Sequence, residues 1–237
     1  MEKGKLFVVA TPIGNLGDIT YRAVDTLRSI DFIACEDTRV TKILLDHFQI
    51  QKPFIVSNAQ NEGRRINEII SKINSGESCA LVSDAGTPSI SDPGTRLVNA
   101  AVKNNIEIIG IPGANAAITA LSISGLPTDS FVFEGFLPQK KGRQKKLTEL
   151  SNEERTIILY ESTYRIEKLL NELNQYMPDR ILAVCRELTK KFEEVWHGSP
   201  LQLISDLPSK NTKGEFVVII SPKDWKENHD EIHSSES

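Results

Sequence analysis

Glycines, carboxylates and amides follow five short apolar runs in the first half of the chain. The stretches that carry them span residues 11–18, 36–39, 57–62, 83–94 and 112–115. If the apolar runs are parallel strands, their carboxyl ends share one edge of a sheet, which is where open α/β sheets bind ligands. We therefore expect these five stretches to form one binding site.

Small and rigid residues expose backbone in these stretches. Glycine lets a ligand approach the main chain, and proline stiffens the loop that presents it. The residues concerned are Pro12, Gly14, Gly17, Gly86, Pro88, Pro93, Pro112 and Gly113. Such loops suit an adenosine, although any one glycine or proline also fits a plain turn. Their spacing matches neither GxGxxG nor GxxxxGK[ST], which argues against a dehydrogenase and a kinase.

Positive charge is concentrated in one segment of the second half, within residues 139–146. Its cationic residues are Lys140, Lys141, Arg143, Lys145 and Lys146, and Lys190 and Lys191 follow later in the chain. The whole chain carries a net charge of −4. The sequence therefore predicts a basic patch on an acidic protein.

Strands alternating with amphipathic helices must position these residues. Strand-like runs occupy 6–10, 32–35, 54–56, 79–82 and 106–111, and helical spacing occupies 21–30, 42–48, 64–73 and 96–103. A second series of strand-like runs lies at 131–133, 156–160, 181–184 and 216–220. The pattern predicts an α/β fold of two α/β domains. We place a largely parallel sheet in 1–115, a mixed sheet in 116–222 and a polar tail in 223–237.

The composition is typical of a soluble globular protein. The chain has 237 residues, of which 39% are apolar and 25% charged, which excludes a disordered or fibrous protein. Apolar runs fall short of the roughly 18 residues that span a bilayer, and the N-terminus leads into a strand, so we expect a cytoplasmic protein. Cys35, Cys79 and Cys185 lie in apolar runs, which indicates buried thiols rather than disulfides or a metal site.

Several motifs together resemble one known family. The sequence VATPIGNLGD at 9–18, EDTR at 36–39 and the loop 83–94 are similar to the tetrapyrrole methylase superfamily. Further motifs at 124–129, 133–138, 160–162, 186–191 and 213–216 resemble its branch of 16S rRNA cytidine 2′-O-methyltransferases. The resemblance covers about residues 5 to 221. It implies two α/β domains, a homodimer, and S-adenosylmethionine in a cleft between the domains.

The resemblance also implies particular cofactor contacts. Carried over position by position, they are Pro12, Asp84, Ala85, Gly86, Ala114, Ala116, Tyr160 and Gly214. Asp84 has a reason of its own, because a carboxylate at a strand end can accept hydrogen bonds from a ribose or an amino group. The alternative is a structural role for Asp84, since Asp is also favoured as a helix cap and in an Asx turn.

Some positions depart from the pattern of this branch. Asn58 and Gln60 stand where it usually carries histidines, and Thr163-Tyr164 stands where it usually carries Pro-His. The loop Pro-Gly-Ala-Asn at 112–115 replaces the usual Pro-Gly-Pro-Ser. These changes leave the fold prediction intact, but they disfavour a mechanism that needs a histidine base.

Methyl transfer to a ribose hydroxyl requires that hydroxyl to lose its proton. A carboxylate could accept the proton, or a lysine could stabilise the forming alkoxide, in addition to the acceleration from positioning two substrates. The candidates are Glu36, Asp37, Glu62, Lys190 and Lys191. The sequence singles out none of them. Glu36 and Asp37 are also placed to cap the next helix, Arg39 to pair with one of them, and the lysines to lie in a solvated loop.

RNA contact is the predicted role of the cationic segment 139–146. Its five cationic residues suit RNA phosphates, and Phe136 just before them suits stacking on an exposed base. The alternative is a helix whose lysines face water while Leu147 and Leu150 face the core.

Three functions compete. The first is S-adenosylmethionine-dependent 2′-O-methylation of a cytidine in the 16S rRNA of the small ribosomal subunit. The second, methylation of a tetrapyrrole, needs a large apolar or carboxylate-binding trough, and the cationic segment argues against it. The third is a ribosome-binding homologue without catalysis, which the altered histidine positions favour and which retained cofactor binding would disfavour.

Overall fold

The computed structural model of the chain describes residues 2–57 and 62–226, without the side chain of Glu62. The chain divides into two units, Met1–Ala116 and Ala117–Ser237, called unit 1 and unit 2 below. Both contain a sheet covered by helices, so the predicted α/β class is confirmed. Asn58, Gln60 and the tail from residue 227 lie outside the described residues. Within the described part, no helix is long and apolar enough to cross a membrane.

Unit 1 contains a parallel sheet of five strands in the order β3-β2-β4-β1-β5. The strands are β1 (Leu6–Val9), β2 (Phe32–Cys35), β3 (Phe54–Val56), β4 (Cys79–Leu81) and β5 (Ile108–Ile111). The helices are α1 (Tyr21–Ser29), α2 (Thr38–His47), α3 (Glu62–Asn74) and α4 (Thr95–Lys103). Because all five strands run in one direction, the loops that follow them emerge at a single edge.

The strands of unit 1 are buried on both faces. One apolar cluster joins them to α3 and α4, and a second joins them to α1 and α2. Successive strand residues such as Phe32 and Ile33 belong to different clusters, as expected when neighbouring side chains point to opposite faces. This two-sided burial explains why the strands appear as continuous apolar runs in the sequence. It includes Cys35 and Cys79, and Cys185 of unit 2 is buried as well, which confirms the prediction for the thiols.

Unit 2 contains a mixed sheet of five strands in the order β6-β7-β10-β8-β9. The strands are β6 (Phe131–Phe136), β7 (Thr156–Ser162), β8 (Leu182–Arg186), β9 (Glu194–Gly198) and β10 (Glu215–Ile220). The helices are α5 (Ala116–Ile123), which begins at the boundary between the units, α6 (Arg143–Ser151), α7 (Ile166–Tyr176) and α8 (Pro200–Asp206). Strands β6 and β7 pair in parallel, and the other pairs are antiparallel.

Helix α6 and strand β9 of unit 2 differ in how well the sequence pattern predicts them. Leu147 and Leu150 of α6 are buried, so the helix of the alternative interpretation is present from Arg143 onward, and RNA contact by the lysines stays a prediction. Strand β9 was not predicted from the sequence. Trp196 is the one buried residue among its five, so the strand has no apolar run that would indicate it. As an edge strand with β8 as its neighbour, β9 needs no continuous apolar run.

Candidate functional site

Hydrogen bonds join the loops that follow β1, β4 and β5. Thr11 and Gly86 exchange two backbone hydrogen bonds, at 2.9 and 3.0 Å. The hydroxyl of Thr11 donates to the carbonyl of Ser83 at 3.2 Å, and that of Thr87 donates to the carbonyl of Ala114 at 3.1 Å. The three loops therefore fix one another before any ligand binds.

These loops carry several of the predicted cofactor residues. The structure brings together Pro12, Asp84, Ala85, Gly86 and Ala114. Gly86 has a φ of +77°, and a Cβ there would lie 3.2 Å from Cγ2 of Ile13 and 3.6 Å from the carbonyl oxygen of Ala114. Glycine is thus required both by the left-handed backbone and by the close approach of two loops.

Two predicted cofactor positions of unit 2 are held by specific contacts. The phenolic oxygen of Tyr160 accepts a hydrogen bond at 3.2 Å from the backbone N–H of Ala117, the residue after Ala116. Gly214 precedes β10 with a φ of +123°, and a Cβ there would lie 2.6 Å from Cγ of Glu187. Tyr160 therefore lies within strand β7 and Gly214 in the bend before β10, and neither position is in an open loop.

Thr163, one of the departures from the family pattern, fixes Gly214. Its hydroxyl donates to the carbonyl of Gly214 at 2.7 Å and accepts from the N–H of Gly214 at 2.6 Å. Proline, the usual residue here, has no hydroxyl and could make neither bond. The neighbouring departure, Tyr164, is exposed. One of these two substitutions therefore supports a predicted cofactor residue directly.

Carboxylates gather at the ends of β2 and β4. Burial raises the pKa of Glu36, and repulsion by Asp84, Asp92 and Asp37 raises it further. Partial desolvation also raises the pKa of the exposed residue Asp84 and of Asp92. A carboxyl group with a raised pKa is a better proton acceptor than an ordinary one. Glu36 therefore retains its predicted role as a candidate base.

Asp37 is a helix cap. As the N-cap of α2 it accepts the backbone N–H of Arg39 at 2.8 Å, and it pairs with the Arg39 guanidinium. Hydrogen bonds from that side chain and backbone lower the pKa of Asp37 to about 2. The capping alternative is therefore confirmed. A group this acidic accepts a proton poorly at neutral pH, which disfavours the catalytic role that stays a prediction for Asp37. Its own N–H donates to Oδ1 of Asp84 at 3.2 Å, which links the β2 and β4 loops.

The other catalytic candidates differ in their surroundings. Lys190 lies 2.9 Å from Glu187 and 2.7 Å from Glu215. Burial alone would lower its pKa, but the hydrogen bonds to these carboxylates raise it, so Lys190 is a fixed cation. Lys191 is exposed and its ammonium lies 5.6 Å from the centre of the Phe192 ring. Glu62 begins α3, and its side chain lies outside what the structure describes.

Arg143 is buried, which corrects the prediction that it contacts RNA. It is 3% exposed, and its Nε and Nη2 atoms lie 2.8 and 2.7 Å from the Glu172 carboxylate. Nη2 is also 3.6 Å from Glu161, and Nη1 donates to the carbonyl of Pro138 at 3.2 Å. A guanidinium enclosed by these partners cannot present its charge to a phosphate.

The remaining basic residues of the segment 139–146 differ in exposure. Lys140, Lys141 and Lys145 are exposed. Lys146 is partly buried and pairs with Glu134 at 3.0 Å. The segment thus presents three solvated lysines, and its other two cations are engaged within the protein.

Two residues at these sites were not singled out from the sequence. Asp92 contributes to the raised pKa of Glu36, and its position in the already selected loop 83–94 was the available signal. Arg165 pairs with Glu161 at 2.8 Å and lies over the Phe136 ring at 6.0 Å from its centre. No sequence motif indicated that second contact, because it depends on the pairing of β6 with β7.

Comparisons with known proteins agree with this arrangement. Residues 5–203 match the family model described as Tetrapyrrole (Corrin/Porphyrin) Methylases. A Synechocystis protein named Ribosomal RNA small subunit methyltransferase I is 52% identical over 220 residues, covering 92% of this chain and 79% of its own. A Thermotoga maritima protein of the same name is 42% identical over 221 residues, covering 93% and 100%.

A solved structure shares the fold. Uroporphyrin-III C-methyltransferase from Thermus thermophilus, complexed with S-adenosyl homocysteine, superposes with a TM-score of 0.63 at 14% identity. The match covers 92% of this chain and 97% of that one. At this level of identity the likeness concerns the fold alone.

Removing the charge of Glu36 should stabilise the protein. Because its pKa is raised in the folded state, ionised Glu36 destabilises the fold; the effect is absent below the ordinary pKa, develops between the ordinary and the raised pKa, and is constant above the raised pKa. We expect Glu36→Gln to raise Tm near pH 8 and to change it much less near pH 4. Asp37→Ala, the matched control, should instead lower Tm at both pH values through loss of the cap. Circular dichroism melts at both pH values provide the check, and an equal effect of Glu36→Gln at both would contradict the assignment.

Replacing Thr163 should weaken the turn at Gly214. Thr163→Val keeps the side-chain volume but removes both hydrogen bonds, and it should lower the free energy of unfolding by about 1–2 kcal/mol. Thr163→Ser keeps the hydroxyl and should lie within about 0.5 kcal/mol of the parent protein. Chemical denaturation measures both variants, and equal losses for Val and Ser would show that the hydroxyl does not support the turn.

Proposed function

Because this chain belongs to the tetrapyrrole methylase family, we propose that it transfers the methyl group of S-adenosylmethionine to the RNA of the small ribosomal subunit. The proposal rests on sequence identity to two relatives named Ribosomal RNA small subunit methyltransferase I. One is 52% and the other 42% identical, each over more than nine-tenths of the chain. The tetrapyrrole-methylating enzyme of similar fold is 14% identical. RNA is therefore favoured over a tetrapyrrole as the methyl acceptor.

The carboxyl edge of unit 1 fits the cofactor. Gly86 packs closely against Ile13 and Ala114, and the solvent-accessible carboxylate of Asp84 lies in the same loop. The buried hydroxyl of Ser89, in the same loop, has no hydrogen-bond partner within the described residues. We assign the cofactor contacts to Pro12, Asp84, Ala85, Gly86, Ala114, Ala116, Tyr160 and Gly214. When bound there, S-adenosylmethionine supplies an electrophilic methyl group on a sulfonium.

The chain's own residues then have distinct tasks. Glu36 accepts the proton of the attacking hydroxyl, a role suited to its raised pKa. Asp37 acts indirectly, because its backbone N–H orients Asp84. Lys191 is the candidate for stabilising the forming alkoxide, since Lys190 is already neutralised by Glu187 and Glu215. Glu62 remains a second candidate base.

The finer assignment follows the sequence resemblance. We propose the 2′-hydroxyl of a cytidine in 16S rRNA as the acceptor, and a homodimer in the cytoplasm as the working form. The exposed lysines Lys140, Lys141 and Lys145 are proposed to hold RNA phosphates. Phe136, which is 53% exposed, provides a ring on which an unpaired base can stack.

Mass spectrometry of rRNA fragments tests this function. Small subunits lacking the modification are incubated with the protein and labelled S-adenosylmethionine, and a ribose-methylated cytidine is the expected product. Glu36→Gln should lower the rate about 100-fold or more, as loss of a general base does, whereas Lys103→Ala on the exposed end of α4 should not change it. A labelled methyl group on a nucleobase would show that the acceptor is the base and not the ribose hydroxyl. No label, despite cofactor binding and a competent control enzyme, would contradict the function.

A further inference from the structure

A depression of about 540 Å³ lies in unit 2 beside the N-terminal turns of α6 and α7. Its lining includes the lysines Lys140, Lys141, Lys145 and Lys168. Glu172 also lines it, but the carboxylate of Glu172 is bound by the buried guanidinium of Arg143 at 2.7 Å. Four ammonium groups therefore define the charge of this depression.

We propose that this depression binds RNA phosphates, with Lys168 as a contact that no sequence motif indicates. This inference rests on the proposed function, because it identifies how the same protein holds its RNA. Lys168 is separated from the segment 139–146 by more than twenty residues, and the fold places both around one depression.

The parallel pairing of β6 and β7 produces this arrangement. Each strand leads into a helix, so α6 and α7 begin at the same edge of the sheet. Neither helix has a side-chain cap, since Gly142 and Arg165 at the N-cap positions make no capping hydrogen bond. The backbone N–H groups of two helix starts thus add to the positive potential that the lysines create.

The lysines are available for exchange with phosphate oxygens. Lys145 and Lys168 are 83% and 58% exposed. Their nearest carboxylates, Glu149 and Glu172, lie at 3.9 and 3.8 Å. Exposed pairs at such distances contribute little to stability, so a phosphate can replace them without a large loss.

Arg143 is a positioning residue for the depression. It begins α6, and its ion pair with Glu172 joins that helix start to α7. Glu161 at the end of β7 lies 3.6 Å from the same guanidinium, so strand and both helices meet at one buried group. The charge of Arg143 therefore sets the spacing of the lysines without touching the ligand.

RNA fits this edge better than an acidic protein does. Phe136 ends β6 at the same edge as the starts of α6 and α7 and exposes half of its ring. The Arg165 guanidinium lies 6.0 Å from the centre of that ring, and its ion pair with Glu161 holds it there. Phosphate-binding lysines near an exposed aromatic ring are the combination used to bind single-stranded nucleic acid.

Salt-dependent binding to deproteinised 16S rRNA tests the proposal with the full-length protein. Lys141→Ala combined with Lys168→Ala should weaken binding about tenfold or more and reduce the slope of log K against log[salt] by about 1.4–1.8, as expected for two lost phosphate contacts. Affinity for S-adenosylmethionine should not change. Lys223→Ala is the matched control, because Lys223 follows β10 at the edge of the sheet where β7 begins, opposite the depression. It should leave both affinity and slope unaltered.

The positioning role of Arg143 has a different signature. Arg143→Gln combined with Glu172→Gln replaces the ion pair by two neutral amide groups. This variant should bind rRNA more weakly while keeping the parental salt slope, because no phosphate contact is removed. A reduced slope would mean that Arg143 itself contacts phosphate and would overturn this role.

Three distinguishable results would overturn the proposal that the depression binds RNA phosphates. Unchanged affinity and slope in the double lysine variant, with methylation by the parent protein intact, would reject the depression and leave the function standing. Weaker binding to whole subunits with unchanged binding to naked rRNA would assign the depression to an acidic ribosomal protein. A parent protein that binds S-adenosylmethionine but neither binds nor methylates rRNA would contradict the function and the inference together.

Discussion

The two backbone hydrogen bonds between Thr11 and Gly86 are the constraint on which the site in unit 1 depends. They tie the loop after β1 to the loop after β4, which are neighbours in the parallel sheet. The bond from Thr87 to Ala114 extends the connection to the β5 loop, and the bond from Asp37 to Asp84 extends it to the β2 loop. Four loops are therefore linked into one preorganised edge, which lowers the entropy lost when a ligand is bound.

Charge is divided between the two units in a way that matches two tasks. The edge of unit 1 gathers Glu36, Asp84 and Asp92, whose pKa values are raised by burial and are suited to proton transfer. The edge of unit 2 where α6 and α7 begin gathers lysines suited to a polyanion. The net charge of −4 hides this division. Average charge is thus a poor guide to whether such a protein binds RNA.

The sequence predicted what depends on local pattern. Strands buried on both faces appear as apolar runs, and the direction of a parallel sheet places Pro12, Gly86 and Ala114 on one edge. It could not show pairings between distant residues. Arg143 looks like its neighbouring lysines in the sequence, and its burial follows from Glu161 and Glu172, which lie on other elements. From the sequence, Thr163 is a departure from the family pattern. In the structure, its two hydrogen bonds to Gly214 stabilise the backbone at a predicted cofactor residue.

Calorimetric titration of S-adenosylmethionine into Gly86→Ala tests the central claim most directly. A Cβ at Gly86 meets Ile13 at 3.2 Å and strains the left-handed backbone that holds the linked loops, whereas a Cβ at Gly125, with a similar φ of +70°, meets nothing within 4 Å. The account predicts that Gly86→Ala weakens binding about tenfold or more, about 1.4 kcal/mol at least, and that Gly125→Ala leaves it unchanged. Equal affinity in Gly86→Ala and the parent protein would contradict the claim that this edge binds the cofactor.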